Sequence, residues 1–320
     1  MDLIYMNKER EDIGVLHDYR LDLAYGSGEN DFELTMPASA HCCREGFLLY
    51  TEGTDYGGIV DDIGSDTEAE EVTYNGRTWH GILNSKVIEP DAGEDYLILR
   101  GEANAILAAL IIRLGLDGMF AASEEDSGVI VSPYKMNRYI KAYDGIRKML
   151  KTAEGKLRFT FKSGKIILSA HPRGDYTQDG SLDSDNVALK VKRYFHPVNH
   201  LICLGRGELA NREVLHLYRD AAGNIGKSQI FFGMDERTDT YENANVESLE
   251  DLENSGIERF KELALEDEVE TSLDEDSEQY EIQDLVGATD NVTGLTATAE
   301  ISKKIVTIEN GQITISYEVE

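Results

Sequence analysis

Residues 24–40 read AYGSGENDFELTMPASA, and the grammar of this stretch sets the expectation for the chain. Gly26 and Gly28 accept positive φ without a Cβ clash, and Glu29, Asn30 and Asp31 keep the turn in water. Phe32, Leu34 and Met36 then alternate with Glu33 and Thr35, the period of a half-buried strand, until Pro37 removes a ladder donor. This is β-hairpin patterning rather than a catalytic loop.

Similar short strands surround it. Leu3–Met6, Gly46–Tyr50, a stretch from Val72 to Leu83, and Tyr96–Arg100 are separated by Gly and Asp/Asn/Ser clusters, which suits a barrel or sandwich. After Gly101 the period changes. Ile106, Leu107, Leu110, Ile111 and Leu114 recur at helical spacing before Gly115, and a second helix is expected from about Asn137 to Leu150. Leu157, Phe159 and Phe161 alternate, Ser163-Gly164 turns, and Ile166 to Ser169 returns.

From about Asp183 the β pattern resumes through Val187–Val191, Asn199–Leu204, Glu213–Tyr218 and Gln229–Phe232. An acidic helical insertion interrupts it at about residues 243–266, with Val246, Leu249, Leu252, Phe260 and Leu263 on one face and Gly256 as a weak point. Asn310-Gly311 joins the last two strands, a strong hairpin signal. The expected class is α+β, mainly β, with spans 1–100 (β), 101–180 (α+β) and 181–320 (β with the insertion).

The composition limits the function classes. In 320 residues, 61 acidic against 31 basic give a formal charge of −30, which argues against nucleic acids and anionic membrane surfaces as partners. Cys42, Cys43 and Cys203 form neither a disulfide framework nor a C-x-x-C pair, so a reducing compartment is expected. The N-terminus carries no signal-peptide pattern, no stretch is apolar for long enough to span a bilayer, and the Asn291-Val-Thr sequon reads as chance.

Four motifs suggest chemistry, and each has a plainer reading. Gly205-Arg-Gly207-Glu-Leu-Ala210 follows a strand like a dinucleotide fingerprint, but a strand rather than a helix comes next, so the glycines bend one strand into another. His196 and His200 have zinc-site spacing, but Pro197 breaks the helix that would align them. His41 beside Cys42 suggests an activated thiol, yet neighbours on a strand point to opposite faces. Asp274, Asp276 and Glu278 resemble a calcium loop, but Gln279 stands at the glycine position. The run from Asp239 to Asp284, with 18 acidic residues against two basic, reads as a solvated or polyanion-repelling face. No catalytic, cofactor-binding or metal residue is assigned.

Several stretches together resemble one family. IGVLHDYRLDLAY (13–25) and NDFELTMP (30–37), NGRTWHGILNSKVIEP (75–90), VNHLICLGRGELANREVLHLYRDAAGNI (198–225) and the terminal EIQDLVGATDNVTGLTATAEISKKIVTIENGQITISYEV (281–319) resemble the tail-hub proteins of siphophages and prophages, the baseplate-hub or Tal-like minor tail proteins. Gln283 departs from the pattern, standing where that family has glycine. Such proteins are similar to the T-even baseplate hub and to the base of the type VI secretion spike.

The resemblance implies two small β-barrel hub domains with an intervening α+β domain. It implies a virion structural protein, assembled in the bacterial cytoplasm, whose homotrimer forms a ring. That ring would join the tail tube and distal tail protein to the tail tip, near the tape-measure protein, and let DNA pass without binding it. No enzyme activity is implied, since the likeness ends at Glu320 with the closing strands and no lytic module follows. Two alternatives stay open: a module that binds a host surface, and a hydrolase with an unrecognised site, for which His41, Cys42 and His196 are the residues to mutate.

Overall fold

The opening hairpin forms where the alternation places it. In the computed structural model, which describes residues 2–177, 189–193, 198–244, 246, 248–263, 267–275, 280–309 and 311–320, strands Arg20–Gly26 and Asn30–Pro37 pair antiparallel with Tyr25 opposite Asn30. The Asn30 side chain clamps the turn, accepting from the Gly26 amide and donating to the Gly26 carbonyl, each at 3.2 Å. Leu21, Leu23 and Tyr25 from one strand and Phe32, Leu34 and Met36 from the other all point into the core. Each such burial contributes about 2 kcal/mol.

The chain makes two compact units, Met1–Leu189 with Glu270–Glu320, and Lys190–Val269. The boundaries differ from the three consecutive spans expected, because the C-terminal strands return to the first hairpin. Leu295–Glu309 pairs antiparallel with Arg20–Gly26 on one side and with Gln312–Val319 on the other. Glycine is required at the crossing: Gly26 sits at φ +128°, and a Cβ there would come within 2.2 Å of the Ser302 carbonyl oxygen. The sheet continues from Asn30–Pro37 through Glu71–Thr78, Gly57–Asp66, Leu48–Tyr50 and Ile4–Met6 to the edge strand Asp12–Val15.

Helix α1 (Trp79–Asn84) replaces the end of the strand expected to reach Leu83. The strand stops at Thr78, whose hydroxyl accepts from the Gly81 amide and caps the helix. Helix α2 (Ala103–Arg113) is capped by the Glu102 carboxylate, which accepts from the Ala105 amide at 2.7 Å. Helix α3 (Ala142–Lys151) begins later than expected, because Tyr139 takes φ +53° and Ile140–Lys141 bridge to Val87–Ile88. Around them Trp79, Leu107, Leu110, Tyr143, Leu150 and Phe161 form the main core. The Gly155–Lys162 and Lys165–Pro172 hairpin, turned at Ser163-Gly164, forms as expected.

The second unit holds a four-stranded sheet in which His200–Leu204 lies between the antiparallel Val214–Arg219 and the parallel Thr238–Glu242. Helix α4 (Leu249–Glu262), shorter than expected and capped by Ser248, lays Leu252, Gly256 and Phe260 on Leu201, Cys203 and Leu217. Gly256 is the point of closest approach rather than a weak point, since a Cβ there would lie 2.6 Å from Cys203 Sγ. Gln229–Phe232 forms no strand; Ile230 and Phe232 are exposed, and a short 3-10 turn at Gly233–Asp235 follows. The molecule is thus α+β and mainly β.

Candidate functional site

The sequence motifs resolve into structural roles. His41 Nδ1 lies 2.8 Å from the Tyr74 hydroxyl, which also accepts from the Cys42 and Cys43 amides at 3.2 and 3.3 Å. The two sulfurs are 3.8 Å apart, and burial, with Cys42 alongside, drives the Cys43 thiol far above its ordinary range. The tyrosine therefore ties down the loop, and no hydrogen bond joins His41 to a thiol among the described residues.

At Gly205 the amide donates to the Glu213 carbonyl at 2.8 Å, and the Glu213 amide returns to the Arg206 carbonyl at 2.7 Å. A 3-10 turn at Leu209–Asn211 and then the strand Val214–Arg219 follow. No helix N-terminus is offered to a pyrophosphate.

His196 and Pro197 lie outside the described residues, as do 276–279 of the calcium-loop candidate. His200 pairs elsewhere, with Nδ1 2.6 Å from the Glu236 carboxylate and Nε2 2.8 Å from His216 Nδ1. No group of three His, Cys, Asp or Glu side chains is arranged to hold a metal among the described residues.

A buried ion network, outside every sequence motif, fastens the C-terminal segment in the first unit. Lys156 Nζ donates to both Asp284 oxygens at 2.7 and 3.0 Å and also meets Glu281, while Arg158 reaches Glu281 at 2.5 Å. Asp284 further accepts from the amides of Gly174 at 2.6 Å and Glu281 at 2.9 Å. Burial alone would push the Glu281 carboxyl up, but Lys156 and Arg158 together hold it below its ordinary range.

Between these anions, Gln283 takes φ +78°, the left-handed conformation that glycine would supply, and its side-chain amide donates to the Arg147 carbonyl at 3.1 Å. The turn is therefore kept despite the substitution. No sequence signal marks the pair, because the alternation of Leu157, Phe159 and Phe161 assigns Lys156 to the outer face with Arg158.

Beside the network a cleft of about 350 Å³ is lined by Tyr25, Asp55, His80, Arg158, Phe159 and Lys304 among others. His80 stacks on Tyr25 with centroids 4.3 Å apart and contacts Phe159 at 3.9 Å. Burial drives its imidazole well below the usual histidine range, and the Lys304 and Arg147 cations push the same way. Its Nδ1 has no hydrogen-bond partner among the described residues. The ring packs between Tyr25 and Phe159, in surroundings that disfavour its charged form.

The outward side of the main sheet is carboxylate-rich. A shallow depression of about 480 Å³ is bordered by Asp22, Asp31, Glu33, Asp61 and Asp62, and another of about 560 Å³ by Asp18, Glu71 and Glu309. Arg77 neutralises only Asp61, through two contacts of 2.7 Å, and holds that carboxyl below its ordinary range. Asp31 is pushed up by burial and by Glu29. Arg20 pairs with Asp22 at 2.8 Å, and the carboxylates that remain leave the face negatively charged.

No protein-family model matches the sequence, and no curated protein does. The fold, however, is similar to the tail protein from Neisseria meningitidis MC58, with TM-score 0.52 and 10% identity over 99% of this chain and 95% of that one. It is also similar to the prophage MuSo2 tail protein from Shewanella oneidensis, with TM-score 0.53 and 14% identity over 100% and 98%. A chain of the phage P2 baseplate in its activated conformation matches with TM-score 0.50 and 11% identity over 99% and 98%.

The chain has the fold of phage tail proteins. These neighbours are tail and baseplate proteins. At such low identity the tail-protein fold is carried by the pattern of strands and core positions rather than by shared side chains, so residue roles must come from this chain's own geometry.

Proposed function

We propose that the protein is a structural subunit of a phage or prophage tail hub, located in the virion tail and without catalytic residues. The observation that carries this reading is the likeness of fold to tail and baseplate proteins over essentially the full length of both chains. Three copies would form a ring built from small β-barrel hub modules, joining the tail tube and distal tail protein to the tip, with the tape-measure protein near its channel.

Assembly would take place in the bacterial cytoplasm. A channel faced by carboxylates such as Glu33 and Asp62, in excess over Arg20 and Arg77, would pass DNA without retaining it, because little counterion release favours binding where anions outnumber cations.

The test is absolute mass by light scattering behind size exclusion. A mass near three times 35.7 kDa is the expected result. A strict twofold dimer contradicts the threefold plan and favours the host-surface-binding alternative, and a monomer under all conditions removes the ring.

A further inference from the structure

The charge of −30 is distributed unevenly. Residues 97–173 carry 13 basic and seven acidic side chains, a net +6, so the rest of the chain carries −36. Part of this positive charge is consumed internally, by the pairing of Lys156 and Arg158 with Glu281 and of Lys151 with Glu300. Four of the other cations, Arg100, Lys135, Arg138 and Lys141, lie on or just beyond a two-stranded ribbon formed by Leu97–Glu102 and Ile130–Met136.

The ribbon's inner side, through Leu97, Leu99 and Tyr134, packs on the main core. Its outer side presents Ile98 (59% exposed), Ile130 (66% exposed), Arg100 and Lys135, with Ile98 directly opposite Lys135. Tyr96 lies against Lys135, 5.6 Å from ring centroid to Nζ, and the chain runs on into Arg138, Tyr139 and Lys141. Arg138 has Asp95 at 3.8 Å. Arg100, Lys135 and Lys141 are in no ion pair among the described residues. Exposed aliphatic and aromatic side chains set among cations have the composition of a protein-binding face.

We propose that this face is the subunit contact of the ring, and that its occupant is a second copy of the same chain, met through one of the carboxylate-rich surfaces outside residues 97–173. The inference rests on the tail-hub reading and gives it a polarity. A twofold contact would set this patch against the same patch of the second copy, so cations would face cations. A head-to-tail contact sets cation against carboxylate at every joint, and it closes into a ring when the rotation between copies divides the circle.

Carbodiimide cross-linking of a mixture of ordinary and nitrogen-15-labelled chains tests this at 0.15 M salt, a condition chosen to screen long-range repulsion to about 8 Å. Links between chains should join Lys135 or Lys141 to carboxylates outside residues 97–173. In parallel, R100E/K135E should weaken trimer association by about tenfold or more, whereas K162E/K165E, which changes the net charge equally at another exposed place, should change it by less than about twofold.

A wild-type trimer that is indifferent to R100E/K135E, or equally sensitive to both variants, overturns the contact and leaves the ring standing. The absence of inter-chain links at Lys135 and Lys141 overturns it too. A wild-type chain that never trimerises fails the hub reading itself. Retention of a 20-base-pair DNA duplex by the wild type, lost in R100E/K135E, assigns the face to nucleic acid and overturns the proposal.

Discussion

Lys156 and Asp284 are both buried, and the separation of charge from water at this pair is recovered only because each group is fully engaged. Removing the cation leaves the anion stranded, so K156A should lower the unfolding free energy of the first unit by about 3–5 kcal/mol. K156M/D284N, which removes both charges and keeps an oxygen for the Gly174 amide, should recover a large part of that loss in urea titrations.

His80 gives a pH signature. Its folded value lies below the ordinary 6.5, so below that pH the unfolded chain binds a proton that the folded chain refuses. The stability it contributes is present above pH 6.5 and falls as the pH drops, by up to about 1.4 kcal/mol per pH unit. Thermal midpoints should decline between pH 6.5 and 5 in the wild type and decline less steeply in H80F, which keeps a ring against Tyr25. Some slope remains in H80F because burial also lowers His171. A midpoint that falls equally in both proteins refutes the assignment.

At the scale of elements, α4 shows how contact overrides propensity. Alanine at position 256 would favour the helix by about 1 kcal/mol. Its Cβ, however, would meet Cys203 Sγ at 2.6 Å, and overpacking costs about 1–3 kcal/mol. G256A should therefore destabilise the second unit. C203A/G256A should restore part of the loss, because the Cys203 Cβ is 3.7 Å away while Leu217 Cδ1, at 3.1 Å, must still give by a few tenths of an ångström. Chemical denaturation followed by amide exchange in α4 reads both variants, and a stabilised G256A would show that the helix can shift.

The same scale shows where periodicity reads correctly. The alternation in Asn30–Pro37 and Gly155–Lys162 and the 3.6-residue spacing in Ala103–Arg113 each gave the right element. The helix Trp79–Asn84 was missed because a six-residue turn of helix has too few positions to show a period, although the Thr78 cap was present. Gln229–Phe232 misled because its apolar run is exposed rather than buried.

For the whole molecule, charge decides how assembly responds to salt. At low ionic strength, about 0.01 M with a screening length near 30 Å, copies carrying −30 repel over most of their surface. Near 0.15 M that field is confined while close cation–carboxylate contacts persist, and near 1 M, with a length of about 3 Å, those contacts weaken as well. The trimer fraction should therefore pass through a maximum at intermediate salt. A steady rise up to 1 M would mean that apolar contacts alone hold the ring.

Most of the local elements, the mainly β class, the excess of carboxylates and the resemblance to tail-hub proteins were legible in the sequence. These depend on the side-chain period, turn chemistry and charge, all written within a few residues. The folded chain was needed to see that Leu295–Glu309 returns to pair with Arg20–Gly26, that Lys156 meets Asp284 across 128 positions, and that Gln283 keeps a glycine-like turn. Such contacts follow from which buried surfaces fit and which charges can be paired once water is excluded, and no window of sequence holds both partners.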